Sequence, residues 1–342
     1  MTQRLKIGII GAGRIGRLHA ENLSLRVPET EVVAIADIIG DAARHCAREY
    51  GIPNAYSDPQ QVIEDQDVEA VLICSSTGTH SLLIEQSAEA GKHIFCEKPI
   101  DFSLERIDQA LAAVEKARVK LQIGFNRRFD PSMRKVRELV AAGEVGTPHI
   151  LRISSRDPEP PPISYIKSSG GMFLDMTIHD FDMARYLMGD EVDRVYAAAG
   201  VMVDPAIGDA GDVDTAIITL HFKHGAIGAI DNSRRAAYGY DQRVEVFGSK
   251  GSAMVRNNKP DNVEISTSDA VSTSTPLFFF VERYTDAYIY EIRDFVAAIR
   301  EDKPVPVTGW DGRVPVVIGY AAQKSFREQR PVWLSEIDPN WT

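Results

Sequence analysis

The sequence predicts an α/β protein of two domains: a helix-covered parallel sheet, then an α+β domain whose mainly antiparallel sheet keeps one face open. Three observations predict it. From residue 6 to residue 124, short apolar runs alternate with longer helical patterns, as in a parallel sheet buried on both faces. A glycine-rich turn, Gly11-Ala12-Gly13-Arg14-Ile15-Gly16, follows the first apolar run and opens a helical pattern. Beyond Gly189 the text becomes strand-rich, with hairpin-type turns and too few helical segments to cover both faces of a sheet.

Taken in order, strands are expected at 6–10, 31–36, 70–74, 93–96 and 120–124, with a short sixth near 55–56. Helical spacing occupies 41–50, 80–90 and 103–117, and Ser103 suits the N-cap of the last because its hydroxyl can accept a first-turn amide. The first domain is set at 1–124 and the second at 125–342. The second begins with a helix opened by Asp130-Pro131 and closed near Gly143, then a strand at 150–154. The loop 156–169 holds Pro158, Pro160, Pro161 and Pro162, which stiffen it and bar a helix. One helix is expected over 171–188, stopped by Gly189. Strands at 192–200, 214–222, 226–233, 242–247 and 253–256 follow, with Lys223-His224-Gly225 and Gly248-Ser249-Lys250-Gly251 as turns. Helices at 284–300 and 312–329 flank Pro304-Val305-Pro306.

A chain of 342 residues is long enough for two cores, and its 44% hydrophobic and 25% charged residues are those of an ordinary globular protein. The net charge of −11, from 38 basic and 49 acidic residues, disfavours a nucleic-acid or anionic-membrane partner, which needs clustered Lys and Arg. A small-molecule partner is expected instead. Cys46, Cys74 and Cys96 are too few for a disulfide framework and the N-terminus has no signal-peptide pattern, so a cytoplasmic location is expected. No apolar run approaches the roughly 20 residues of a membrane span.

The turn formed by Gly11, Ala12, Gly13, Arg14, Ile15 and Gly16 carries meaning because of its place between strand and helix. Its first glycine permits the tight turn, the second lets the backbone approach a pyrophosphate, and the third lets helix and strand pack closely. Asp37 ends the second strand about 20 residues on, where a carboxylate accepts hydrogen bonds from ribose hydroxyls. Together they predict a Rossmann dinucleotide-binding domain. A carboxylate there repels a 2′-phosphate and Ile38-Ile39 offer no basic partner for one, so the expected cofactor is NAD.

Cys96-Glu97-Lys98-Pro99 lies just past the fifth strand, at the sheet edge where open α/β folds bind ligands, which puts Lys98 toward the nicotinamide end. Alone, such a lysine reads better as a surface residue at a strand exit. Asp175 and His179 are four apart on the helix expected over 171–188, so they would share one face. A histidine backed by a carboxylate is a suitable general base for a hydroxyl proton lost as hydride leaves. The same pair also fits a structural role, or metal ligation. No third convergent ligand is evident and nicotinamide chemistry needs no metal, so none is expected.

Four segments together resemble one family: Gly11 to Gly16, Glu97-Lys98-Pro99, Gly124-Phe125-Asn126-Arg127-Arg128-Phe129-Asp130, and the run Gly170-Gly171-Met172-Phe173-Leu174-Asp175-Met176-Thr177-Ile178-His179-Asp180-Phe181-Asp182. It is the glucose-fructose oxidoreductase, inositol dehydrogenase and rhizopine catabolism family, and the likeness runs over essentially the whole chain. The resemblance implies a Lys98, Asp175, His179 catalytic triad with His179 as proton acceptor and Lys98 on the reacting oxygen. It also implies that Thr77, His80 and Glu97 lie along the cofactor and that Arg127, Asp157 and Tyr240 approach a cyclic polyol. The implied reaction is NAD-dependent oxidation of an inositol ring hydroxyl, myo-inositol giving the ketone scyllo-inosose, in a homotetramer built through the open sheet face. A pyranose sugar dehydrogenase and a catalytically silent dinucleotide sensor remain open alternatives, since fold does not fix function.

Overall fold

The computed structural model describes residues 4–341; residues 1–3, part of the stretch where the sequence was read for an export signal, and Thr342 lie outside the described residues. The chain forms two compact units. One runs to Phe129 and takes in Asp286–Val314, and the other holds Asp130–Thr285 and the chain from Pro315.

In the first unit, β1 (Leu5–Ile10), β2 (Thr30–Ala36), β3 (Asn54–Tyr56), β4 (Ala70–Ile73), β5 (His93–Glu97) and β6 (Leu121–Gly124) form one sheet. Its order is β3-β2-β1-β4-β5-β6 and every pairing is parallel, as the alternation of runs and helices predicts. β1 and β4 are apolar almost throughout because helices cover both faces. The order reverses between β1 and β4, so the loops leaving these strands diverge and open a crevice at the carboxyl edge.

The unit boundaries differ from the expected 1–124 and 125–342 in one main respect. Ile292, Phe295 and Val296 of the helix Thr285–Arg300 pack into the core of Leu5, Ile7, Ile9 and Phe95, with the Phe295 ring 5.9 Å from that of Phe95. Periodicity marks an amphipathic helix but does not say which sheet it covers.

The second unit holds β7 (Pro148–Arg156), β8 (Val192–Gly200), β9 (Thr215–Phe222), β10 (Ile227–Ser233), β11 (Asp241–Gly248), β12 (Gly251–Val255), a small ladder of β13 (Glu264–Ser266) and β14 (Val271–Thr273), and β15 (Val332–Trp333). The main sheet runs β12-β11-β7-β10-β9-β8-β15, antiparallel except for β7 with β10. Along β9, Ala216, Ile218, Leu220 and Phe222 are buried while Ile217 is exposed, the period of a sheet covered on one face. The helices Pro131–Ala141 and Ile178–Met188 pack on the covered side. Asp130 caps the first of them, accepting from the amides of Ser132 and Met133.

The single helix expected over 171–188 is two, Gly171–Asp175 and Ile178–Met188. At the join the Thr177 amide reaches back five residues to the Met172 carbonyl, and the Asp180 amide reaches back three to Thr177. A buried tie explains the break: Thr177 Oγ1 donates to Asn232 Oδ1 on β10 at 2.6 Å, and Asn232 Nδ2 donates to Asp180 Oδ2 at 2.8 Å. These buried hydrogen bonds between protein groups fix the join against the sheet.

Candidate active site

β1 delivers the glycine turn to the crevice. Gly11 has φ +104°, and a Cβ there would lie 2.6 Å from the Cys74 carbonyl, so only glycine lets the chain leaving β1 meet the chain leaving β4. A Cβ on Gly16 would overlap the carbonyl oxygen of Gly11, whereas one on Gly13 would meet nothing within 4 Å. The loop is thus closed inward at Gly11 and Gly16 and open outward at Gly13. Arg14 and Ile15 begin the helix Arg14–Leu25, whose N-cap, Gly13, has no side chain to occupy the first amides. A helix start, with its positive dipole end, suits a phosphate.

Asp37 locks this turn in place. Its Oδ2 accepts the Ala12 amide at 2.7 Å and its Oδ1 accepts the Ile39 amide at 2.8 Å. Each oxygen keeps acceptor capacity for a ribose hydroxyl. Ile38 and Ile39 stand exposed beside it. These residues fit NAD.

At the end of β5, Lys98 precedes a cis Lys98–Pro99 bond. His80 lies beneath this turn, fully buried in the helix Thr77–Glu89, with Nδ1 2.8 Å from the Pro99 carbonyl and Nε2 2.9 Å from the Ser75 carbonyl. Each ring nitrogen faces a backbone carbonyl, and the one N–H of the neutral ring donates to one of the two, so His80 packs between the Lys98-Pro99 turn and the loop after β4. Burial holds its imidazole below the usual histidine range, opposed by the two carbonyls. Thr77 is half-buried at the start of the same helix. The Glu97 carboxylate accepts from His19 Nε2 at 2.8 Å and lies against Gly124, where a Cβ would be only 3.0 Å from it. Arg127 is buried in the 3-10 turn Asn126–Phe129, and its neighbour Arg128 pairs with Asp311 at 2.9 Å.

In the second unit Asp175 is held from two sides. Its Oδ1 accepts the Tyr165 hydroxyl at 2.8 Å, and its Oδ2 accepts both terminal nitrogens of Arg234 at 3.2 Å each. Arg234, whose side chain is 3% exposed, also stands 3.7 Å from Asp157. Sequence reasoning missed Arg234 and Tyr165. The available signal was Arg234-Arg235 directly after a strand of an acidic chain, and nothing marked Tyr165 within its proline-rich loop. Both oxygens of Asp175 serve to fix an orientation, which leaves it poorly suited to ligate a cation. His179 opens the helix Ile178–Met188 after the irregular join, so its relation to Asp175 is set by that join and not by one regular turn. Tyr240 is buried, its ring edge-on to Tyr284 at 6.1 Å.

Residues 5–125 match the oxidoreductase family described as having an NAD-binding Rossmann fold, and residues 133–254 match the GFO/IDH/MocA C-terminal domain. Over 338 residues, 99% of this chain and 99% of the relative, it is 52% identical to the uncharacterized oxidoreductase YrbE of Bacillus subtilis. The chain belongs to the GFO/IDH/MocA oxidoreductase family. Another family member, the myo-inositol 2-dehydrogenase of Thermotoga maritima, is 51% identical over 97% of this chain and 99% of its own. The solved scyllo-inositol dehydrogenase of Lactobacillus casei, with bound NAD(H) and scyllo-inositol, superposes with a TM-score of 0.92 at 30% identity, covering 97% of this chain and 100% of that one. The NAD-binding fold and oxidoreductase class expected from the glycine turn and Asp37 are therefore those of the family. Among the described residues, no helix is long and apolar enough to cross a membrane.

Proposed function

We propose that this enzyme oxidises a ring hydroxyl of inositol with NAD, taking myo-inositol to 2-keto-myo-inositol. The observation that carries the reading is the full-length likeness to a myo-inositol 2-dehydrogenase. The glycine turn locked to Asp37 supports the cofactor choice. Bound NAD supplies the hydride acceptor. The chain's own residues then have separable tasks. His179 takes the hydroxyl proton, Lys98 stabilises negative charge growing on the same oxygen, and Asp175 stabilises the imidazolium. Arg234 and Tyr165 keep Asp175 oriented, and Arg127, Asp157 and Tyr240 are assigned to the remaining ring hydroxyls. Thr77, His80 and Glu97 are assigned to the cofactor side.

A homotetramer in the cytoplasm completes the proposal. The face of the larger sheet that carries Ile217, Ile227, Phe247 and Met254 exposes these apolar side chains on adjoining strands, which favours burial against another copy. The test is a product analysis with myo-inositol, scyllo-inositol, D-chiro-inositol, glucose and xylose at saturating NAD. The reading expects a ring ketone two hydrogens lighter than myo-inositol, with one NADH formed per ketone. Turnover of glucose or xylose in preference to the inositols would establish a sugar dehydrogenase, and no turnover of any would establish the silent sensor.

A further inference from the structure

Behind the Lys98 turn the first unit buries three titratable side chains that the dehydrogenase reading leaves without a task or uses only in part. His19 of the helix Arg14–Leu25, Glu97 of β5 and Glu291 of the helix Thr285–Arg300 each bring an atom within 4.8 Å of the others. His19 and Glu291 have fully buried side chains and that of Glu97 is 14% exposed. His19 Nε2 stands 2.8 Å from Glu97 Oε1 and 3.9 Å from Glu291 Oε1. Among the described residues, no donor reaches either oxygen of Glu291, and no group reaches His19 Nδ1.

These contacts assign the protons. At 2.8 Å, Nε2 of His19 donates to Glu97, and Nδ1 is left as the lone-pair nitrogen of a neutral ring. A second N–H at Nδ1 would be buried with no acceptor, a costly state. An ionised Glu291 would place a second negative charge beside Glu97 in the protein interior, with no donor to hold it. Among the described residues, no neighbouring titratable group donates to it. Cys74 after β4 and Cys96 on β5 are buried thiols pushed well above their usual range by burial and then by the charge of Glu97. Tyr288, on the same helix as Glu291, meets the His19 ring edge-on, with ring centres 5.8 Å apart. The one cationic residue in this stretch of β5 and its exit is Lys98, the residue after Glu97.

We propose that His19 and Glu291 are positioning residues for the Glu97-Lys98 turn: Glu291 is a neutral carboxylic acid, so the single negative charge stays on Glu97, where His19 holds it. Burial, then the charge of Glu97, hold the Glu291 carboxyl well above its usual range. The inference rests on the reading that Lys98 acts at the substrate oxygen. Its protonation half does not, and can be measured without turnover.

The linkage has a definite sign. Above the ordinary glutamate range the folded chain keeps a proton that the unfolded chain has released, so stability falls as pH rises toward the folded titration point. The folding equilibrium constant should drop about tenfold per pH unit from this group within that window. Glu291→Gln removes the exchange. Chemical unfolding of the full chain from pH 5 to pH 8 should find Glu291→Gln gaining on the parent steadily as pH rises. Parallel pH profiles, or a stoichiometric divalent cation recovered with the purified protein, would overturn the neutral acid. For positioning, His19→Leu should lower kcat at least about tenfold on whichever polyol the parent oxidises, with KM for NAD held. His19→Gln, which keeps an N–H donor, should recover part of it. A His19→Leu enzyme with parental kcat and pH profile, or no advantage of Gln over Leu, overturns the positioning role.

Discussion

Replacing Asp37 by alanine tests the cofactor assignment where the structure gives a magnitude. The change removes acceptors for the Ala12 amide at 2.7 Å and the Ile39 amide at 2.8 Å. Ile39 is exposed, so water replaces most of its bond, but Ala12 is buried and its amide is left unsatisfied. A hydrogen bond to a charged group is worth about 1.5–3 kcal/mol, and the carboxylate's bonds to the ribose hydroxyls vanish at the same time. A combined loss of about 3–4 kcal/mol weakens NAD binding by two to three orders of magnitude. Fluorescence titration with NADH measures it. Going on to Asp37→Ser with Ile38→Arg should move the NAD to NADP ratio of kcat/KM toward NADP, since the guanidinium gives a 2′-phosphate its partner. An Asp37→Ala protein that binds NADH within a few-fold of the parent, or a parent that uses NADP as readily as NAD, refutes the role.

His179→Ala should cut kcat by about 10²- to 10⁴-fold with NAD affinity kept, as measured by steady-state rates beside NADH titration. Asp175→Asn should also lose activity, and Lys98→Met should impair substrate KM and kcat together. Arg234→Met releases Asp175 and Asp157 from their shared cation and should lower kcat/KM about 100-fold, with Arg234→Lys intermediate, in the same assay. Asp214 offers a stability test at low pH. Burial raises its carboxyl, but the amides of Met202, Val203 and Asp204 and the Thr215 hydroxyl outweigh that and hold it below the usual carboxylate range. Its contribution is therefore complete above the unfolded titration point and lost as pH falls through the folded one. Asp214→Asn should cost about 2–3 kcal/mol at pH 7 in denaturant unfolding, a gap that narrows in acid.

Much of the first unit was legible because its signals are local. Strand, glycine turn, helix and a following acidic strand end lie within a few dozen residues, and Gly11 and Gly16 make the close backbone approaches that their spacing implies. The helix Thr285–Arg300 was legible as a helix but not as a cover for the first sheet, since its partners Leu5 and Phe95 are distant in sequence. The break at Thr177 was invisible for the same reason: it depends on Asn232, which only the folded sheet brings close. Arg234 was missed because one arginine in sequence gives no sign of the two carboxylates it will meet. His80 and Glu97 carried family signals without geometry, and the structure finds their polar atoms turned to Pro99, Ser75 and His19.

The central claim is direct hydride transfer from an inositol ring carbon to NAD, and isotope transfer measures it most directly. Myo-inositol carrying deuterium at C2 is incubated with the enzyme and NAD, and the reduced cofactor is analysed by mass spectrometry. The account predicts one deuterium in every NADH formed, with unlabelled scyllo-inosose as the ketone. Reduced cofactor without deuterium, or a ketone that still carries it, would contradict oxidation at that carbon.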